Sequence, residues 1–528
     1  CWRSFDLPER NTMKKIQELQ QVKGDAYDYY IAGNEDTDLF EKIFLVDDIV
    51  EEICKPDKYF LIGEKGSGKT AYSVYMSKSD KINSFCSISL VENTLYQRFL
   101  NMKRQKALEL SSFKDVWINL IYLILAEKIR KEYGETFFSS IKYKQLSKAI
   151  DVFYSDAFKP EFVNAFEFVD NASASINSMM KQGLFSTGTK ASAETSQKYV
   201  EQSFQISLLK IRDGFEKAFM SVNLKKPTIL FVDGIDARPR DIDNEQYFEC
   251  LVGLVNAVLE MNQSFLKEKQ IKIMLLIRPD IMYKMPVHNM NQKLRNNSVL
   301  LNWVTSYRKY IDSKLFKIAD DYFMKQQDYS YELGECWNYY FPYKVEYQAP
   351  DNPFVEFLRY SLYKPRDILT MLNEMVDATS GTQFKHSDFE GILSNYSTYL
   401  KGELKDYMLI YMDDSDYNNF SIFFDYFQGH RNFNYKFFEE KHLEYIKYLR
   451  ELGRKIPPFM ETASEALQLL YDTNIICYKI YETLPNGKRK NKMFWSYKER
   501  NYANMQPEVK KGGEYSFHMA YARAFRLF

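Results

Sequence analysis

No Cys-x-x-Cys pair occurs in this 528-residue sequence: its six cysteines, Cys1, Cys54, Cys86, Cys250, Cys336 and Cys477, stand far apart. Such spacing excludes a zinc ribbon and a disulfide framework and points to a reducing compartment. Net charge is missing as well. The 71 basic and 71 acidic side chains sum to +0, so any affinity for nucleic acid has to come from a local patch. No apolar run reaches the roughly 20 residues that cross a bilayer. The most apolar one, Val116–Ala126, is interrupted by Asn119 and closed by Glu127 and Lys128, which suits a buried helix. The N-terminus shows no basic region ahead of an apolar core, so the expectation is no signal peptide and a cytoplasmic chain with no membrane partner. Met13-Lys14-Lys15 looks more like a natural start than Cys1 does. Internal repeats, an LSGGQ-like signature and a guanine-reading NKxD are absent too. His288, His386, His430, His442 and His518 show no metal-ligand spacing.

What the sequence does contain is a glycine loop. Gly63-Glu64-Lys65-Gly66-Ser67-Gly68-Lys69-Thr70 fits G-x-x-x-x-G-K-[ST] without exception. It follows a short apolar strand, Tyr59–Ile62, and opens a helix over Thr70–Ser77. Glycines let successive N–H groups turn inward toward an anion, and the first turn of the helix adds partial positive charge. In that geometry Lys69 reaches the β- and γ-phosphates of a nucleotide and the Thr70 hydroxyl ligates Mg²⁺. ATP and Mg²⁺ are therefore the expected cofactors, with Gly63, Glu64, Lys65, Gly66, Ser67, Gly68, Lys69 and Thr70 around the phosphates.

Two more apolar strands follow, Thr228–Val232 and Ile271–Ile277, separated by a helix with Phe248, Leu251, Val252, Val255, Val258 and Leu259 at helical spacing. Together with the alternating stretch Ser84–Leu90 they predict a parallel sheet with helices on both faces. Asp233 ends the Thr228–Val232 run, where a carboxylate would hold the metal's water shell; a turn cap is the alternative. Asp236 is the nearest carboxylate able to orient an attacking water, because position 237 is Ala; it serves equally as a helix cap. Arg278 ends the next strand, placed to sense or stabilise charge at a γ-phosphate, or else to sit on the surface before Pro279. Lys364-Pro365-Arg366-Asp367 starts a helix with Ile368, Leu369, Leu372, Met375 and Val376 on one face. Arg366 would reach the phosphates if that helix packs as a lid; a plain proline start is the other reading.

Taken in order, GEKGSGKT, FVDGID, LLIRPD and KPRDIL resemble the STAND and ORC-like branches of the AAA+-related ATPases. They are more closely similar to bacterial P-loop ATPases found near prophage and anti-phage defence genes. The similarity covers about Asp25–Asp377. It implies an α/β fold: a P-loop NTPase three-layer αβα core with a parallel sheet, then a helical lid and a winged-helix-like C-terminal domain. It also implies Lys69 and Thr70 on phosphate and Mg²⁺, Asp233 as the Walker B acid, Arg278 as sensor and Arg366 at the lid helix. The expected segments are 1–50 (helical), 51–310 (core, with a long insertion at about 95–215), 311–400 (lid) and 401–528 (C-terminal domain). Inside the insertion, Ser112 to Asp115 has capping-box-like spacing, and Asn171–Ser196 is rich in Ser, Ala, Thr and Gly, as a flexible loop or hairpin would be. The tail predicts helices to Leu452 and over Glu461–Tyr471, a strand over Asn474–Tyr481, a Pro485-Asn486-Gly487 turn and a strand over Lys492–Tyr497.

Many STAND members carry Asp-Glu where this chain has Asp236-Ala237. The missing glutamate favours slow hydrolysis. The leading expectation is an ATPase acting as a nucleotide-dependent conformational switch, with a homo-oligomer or an effector protein as partner. The runner-up is a nucleic-acid-stimulated ATPase, a DNA loader or remodeller. Its support is the basic set Lys488, Arg489, Lys490 and Lys492, with Phe494, Trp495 and Tyr497 behind it to stack on bases. A solvated hairpin tip and a core strand explain the same residues. A small-molecule kinase would account for the glycine loop, but not for the strand ends DGID and LLIRPD or for the large tail.

Overall fold

A strand covered on both faces has no use for polar alternation, so short continuous apolar runs ask for a buried parallel sheet. The structure, a computed structural model, describes residues 13–31, 34–91, 113–138, 143–157, 208–236, 238, 244–285, 290–346, 350–483 and 489–528. It contains that sheet and extends it to five strands: β1 (Phe60–Ile62), β2 (Phe85–Leu90), β3 (Thr228–Asp233), β4 (Ile271–Ile277) and β5 (Ser298–Leu300). All pairings are parallel, in the order β2-β3-β4-β1-β5. Every residue of β1, β3 and β4 is buried, whereas β2 at one edge is partly exposed. β5 was not expected. Ser-Val-Leu is too short to carry a period, and only its pairing with β1 makes it a strand.

The chain divides into two compact units, one of residues 48–63 and 76–300, the other of residues 1–47, 64–75 and 301–528. In the first, helices Phe113–Phe138 and Asn244–Asn262 cross so closely that a Cβ on Gly253 would lie 2.5 Å from Phe113 Cβ. Trp117 Nε1 donates to the Cys250 carbonyl at 3.1 Å across the same crossing. Two buried polar side chains here are matched by backbone groups. Asn262 donates to the Val258 and Ile273 carbonyls at 2.9 and 2.8 Å and accepts from Ile273 N–H at 2.9 Å. Lys272, on β4, donates to the carbonyls of Ile53 and Lys55 at the end of helix Asp48–Cys54. Burial pulls its ammonium down to about 8. Parts of the expected insertion, including Ser112 and Asn171–Ser196, lie outside the described residues, as do Cys1 and the rest of 1–12.

The second unit is helical and aromatic, then mixed. Rings of Phe316, Trp337, Phe341, Phe354 and Phe357 pack edge-on or stacked into one cluster. Helix Pro365–Ala378 starts with its proline at the first turn and buries Ile368, Met371, Leu372, Met375 and Val376. Near the C-terminus β6 (Asn432–Asn434), β7 (Ile476–Thr483), β8 (Arg489–Phe494) and β9 (Glu514–Phe517) form an antiparallel sheet in the order β6-β9-β7-β8. The helix Ala463–Asp472, capped by a Thr462–Glu465 box, precedes β7. β6 falls within a stretch expected to be helical, and two further points differ from expectation. The strand expected through Tyr497 ends at Phe494, because Trp495 is the N-cap of a short helix, Ser496–Glu499. And β9, which carried no sequence signal of its own, covers the other edge of β7. The Pro485-Asn486-Gly487 turn lies outside the described residues. Among the described residues no helix is long and apolar enough to cross a membrane.

Candidate functional site

Along the chain, β2, β3 and β4 occupy successive positions and the next connection passes beyond β1 to β5; only the step from β1 to β2 runs the other way. The winding therefore reverses at β1. In open α/β sheets the crevice at the carboxyl ends of the strands, where winding reverses, is where ligands bind. The register brings several expected site residues to this edge. Ile62 pairs with Ile277, so Gly63 and Arg278 leave the sheet side by side, and the Gly63 N–H donates to the Ile277 carbonyl at 3.2 Å. Asp233 closes β3 and is 5 % exposed; its Oδ1 accepts the Gly234 N–H at 2.8 Å. Gly234 has φ +82°, and a Cβ there would meet the Val91 carbonyl at 3.1 Å, so the turn after Asp233 requires glycine. Asp236 is half-buried. The neighbouring Tyr247 hydroxyl donates to the Ile235 carbonyl, and burial, then the Asp236 charge, raise its pKa.

Arg278 is 1 % exposed, not a surface residue. It is the N-cap of helix Pro279–Lys284, and its guanidinium forks onto Asp280, Nε to Oδ1 at 3.0 Å and Nη2 to Oδ2 at 2.5 Å. A buried guanidinium requires such a counter-charge. To meet an external anion Arg278 would have to exchange or share that partner.

From Glu64 onward the glycine loop is held by the second unit's own residues. Gly66 and Gly68 have φ +83° and +95°, a left-handed backbone that glycine adopts without steric cost. Ser67 N–H donates to the Glu64 carbonyl at 3.1 Å, and Lys69 Nζ folds back on that same carbonyl at 3.4 Å. Lys69 is 7 % exposed and begins the helix Lys69–Lys78. The Ser67 hydroxyl is buried and, among the described residues, has no hydrogen-bond partner. Buried hydroxyls are rarely left so, and a phosphate oxygen in the loop would satisfy it. Outside the loop, Trp303 Nε1 donates to the Ser67 carbonyl at 2.9 Å.

The helix Pro365–Ala378 meets the loop through Arg366. Arg366 N–H donates to the Gly66 carbonyl at 3.3 Å, and a Cβ on Gly66 would lie 3.2 Å from Arg366 Cβ. The guanidinium turns to Glu403 at 3.6 Å, and Lys65 pairs with Glu403 and Asp406 at 3.2 and 2.9 Å. Glu64 takes Lys364 at 3.9 Å and the buried Arg500. Beside the loop opens a small, mostly apolar cleft lined by Gly68, Ala71, Phe40, Phe44, Tyr72, Trp303, Ile318 and Leu369. Tyr72 is fixed there by its hydroxyl on Asp47 at 3.0 Å, and Asp47 also takes Lys314 at 2.6 Å. An apolar, aromatic-lined slot next to a glycine loop of this pattern is the kind of place a flat ring carrying phosphates would fit.

Trp303, Glu403 and Arg500 were not found from sequence; they lie hundreds of residues from the loop and in no motif. Ala237 and Lys488 are outside the described residues. Lys492 is exposed on β8, with its ammonium 5.2 Å from the Phe494 ring centre. Trp495 and Tyr497, read as candidate stacking surfaces, are each 8 % exposed and pack against His518 and Tyr363. They belong to the core, which was the other reading of those residues. Compared with known proteins, this chain matches no family model, no curated protein and no solved structure.

Proposed function

We propose that this chain is an ATP-binding P-loop ATPase of the STAND/ORC-like, AAA+-related kind, working as a slow nucleotide-dependent conformational switch. The observation that carries the reading is the complete glycine motif at the carboxyl end of β1, where the sheet's winding reverses. Gly66 and Gly68 in the left-handed region, the unpartnered Ser67 hydroxyl and the apolar cleft at Gly68 support it. The roles are those the motif gives: Lys69 on the phosphates, Thr70 on Mg²⁺, and Asp233 as the acid toward the metal's water shell. The aromatic slot takes the base. Bound Mg²⁺ supplies charge neutralisation at the phosphates. Arg366 is tied to Gly66 by its backbone and to Glu403 by its side chain. Filling the loop therefore bears on helix Pro365–Ala378, the coupling a switch requires. The C-terminal helix-then-hairpin order supports a winged-helix-like module, here with β9 as an added strand. An anti-phage role rests on the motif resemblance alone.

The test is MgATP binding, turnover and size-exclusion elution of the wild type and Lys69→Ala. Binding is expected in the wild type and lost in the variant, with slow turnover and an ATP-dependent change in elution in the wild type alone. Wild-type protein that binds no nucleotide, or a Lys69→Ala variant that binds equally well, would sink the proposal.

A further inference from the structure

Glu64 occupies the second position of the glycine motif, where the pattern asks for no particular residue, yet here its two ends do different work. Its carbonyl receives Lys69 Nζ and the Ser67 N–H. Its carboxylate receives the Arg500 guanidinium, from the far end of the chain. We propose that Arg500 is a positioning residue for the phosphate loop, and that through Glu64 the segment 495–505 and the nucleotide control one another. The proposal deepens the nucleotide-site reading and rests on it for the ligand.

The geometry around Arg500 is built rather than incidental. The side chain is 7 % exposed; its Nε donates to the Met505 carbonyl at 3.0 Å and its Nη2 to Ser496 Oγ at 3.2 Å. Both of these partners are neutral. The Glu64 carboxylate is the countercharge that the ion-pair geometry supplies, and Lys364 approaches the same carboxylate only at 3.9 Å. A buried guanidinium and its carboxylate resist separation, because each would be left charged away from water. The pair therefore fixes the first turn of the loop against residues 496–505.

The residues before Arg500 anchor that segment on different elements in turn. Tyr497 N–H donates to Asn474 Oδ1 at 3.0 Å. Lys498 lies 4.4 Å from the Tyr363 ring centre, at the start of the loop-contacting helix. Glu499 accepts the hydroxyls of Tyr471 and, at 2.9 Å, Tyr478 on β7. A shift of β7 or of helix Ala463–Asp472 would thus pull on Arg500 and, through it, on Glu64. Coupling of this kind is reciprocal: what phosphate does to the loop it does to the segment, and the reverse.

The experiment compares wild type, Arg500→Gln, Glu64→Gln and the double variant by hydrogen exchange of residues 63–70 and by MgATP titration. Removing one charge-assisted contact should speed exchange of the loop and weaken MgATP binding by about tenfold or more. The double variant should be no worse than either single one, because both remove the same interaction. Arg500→Lys, which keeps the charge but not the guanidinium's contacts to Met505 and Ser496, should recover part of the loss. Unchanged exchange at 63–70 in a folded variant overturns the proposal, as do fully additive effects. Glu64→Gln decides the matter should Arg500→Gln fail to fold. Absence of MgATP binding in the wild type would remove the nucleotide reading, while loop exchange would still decide whether Arg500 positions the loop.

Discussion

At the scale of single residues, the loop shows how much a glycine motif leaves unsaid. The pattern specifies where glycine stands, not what approaches it. Gly66 and Gly68 share a left-handed backbone, but a Cβ at Gly66 would also press on Arg366, whereas one at Gly68 meets open space. Gly68→Ala should therefore cost the backbone strain alone, about 1–2 kcal/mol, and Gly66→Ala more than that. Thermal or urea unfolding of the two variants checks the order, and equal losses would mean that Arg366 yields freely. Arg278 teaches the same lesson. Its place at a strand end was legible, while its fork onto Asp280 depends on a two-residue turn that a motif reading passes over. Arg500 and Trp303 were beyond any local pattern, since nothing near Gly63–Thr70 in the chain refers to them.

At the scale of elements, legibility followed burial and length. β1, β3 and β4 stood out because a strand buried on both faces is a run of apolar residues bounded by polar ones. β5 and β9 stayed hidden, being short edge or cover strands whose existence is decided by a neighbour. The sequence reads as strand through Tyr497, whereas the backbone turns into a helix after Trp495 and buries both Trp495 and Tyr497. Helix packing offers a test in which the sign is informative. By helix propensity alone Gly253→Ala would stabilise the chain by about 1 kcal/mol. The Cβ would fall 2.5 Å from Phe113 Cβ, with Lys114 N at 3.0 Å, and overpacking of this sort costs about 1–3 kcal/mol. Net destabilisation is expected, read as a lower urea midpoint at unchanged slope. A higher midpoint would show that the crossing is looser than described.

For the whole molecule, the balanced charge bears on the choice between switch and nucleic-acid motor. With a net charge of +0, duplex DNA has only local basic groups to hold, and β8 offers Arg489, Lys490 and Lys492 on an edge strand. Lysines on an edge strand also serve to keep other chains from pairing with it. Of the rings meant to stack on bases, Trp495 and Tyr497 lie in the core and Phe494 is half-buried. ATP turnover is accordingly expected to be the same with and without DNA, and the same after replacing Arg489, Lys490 and Lys492 with Gln. Turnover stimulated by DNA at low salt, and lost in that triple variant, would favour the loader or remodeller instead.

The sequence by itself determined the phosphate-loop motif, the buried strands β1, β3 and β4, and the helix that begins at Pro365. Each is encoded within a dozen or so neighbouring residues by backbone freedom, side-chain period and burial. Only the tertiary structure decided that the winding reverses at β1, that Arg366 spends its guanidinium on Glu403, and that Glu64 meets Arg500. Those outcomes depend on which surfaces pack together across hundreds of residues. Packing is chosen by the summed fit of many side chains, so no short stretch of sequence carries it.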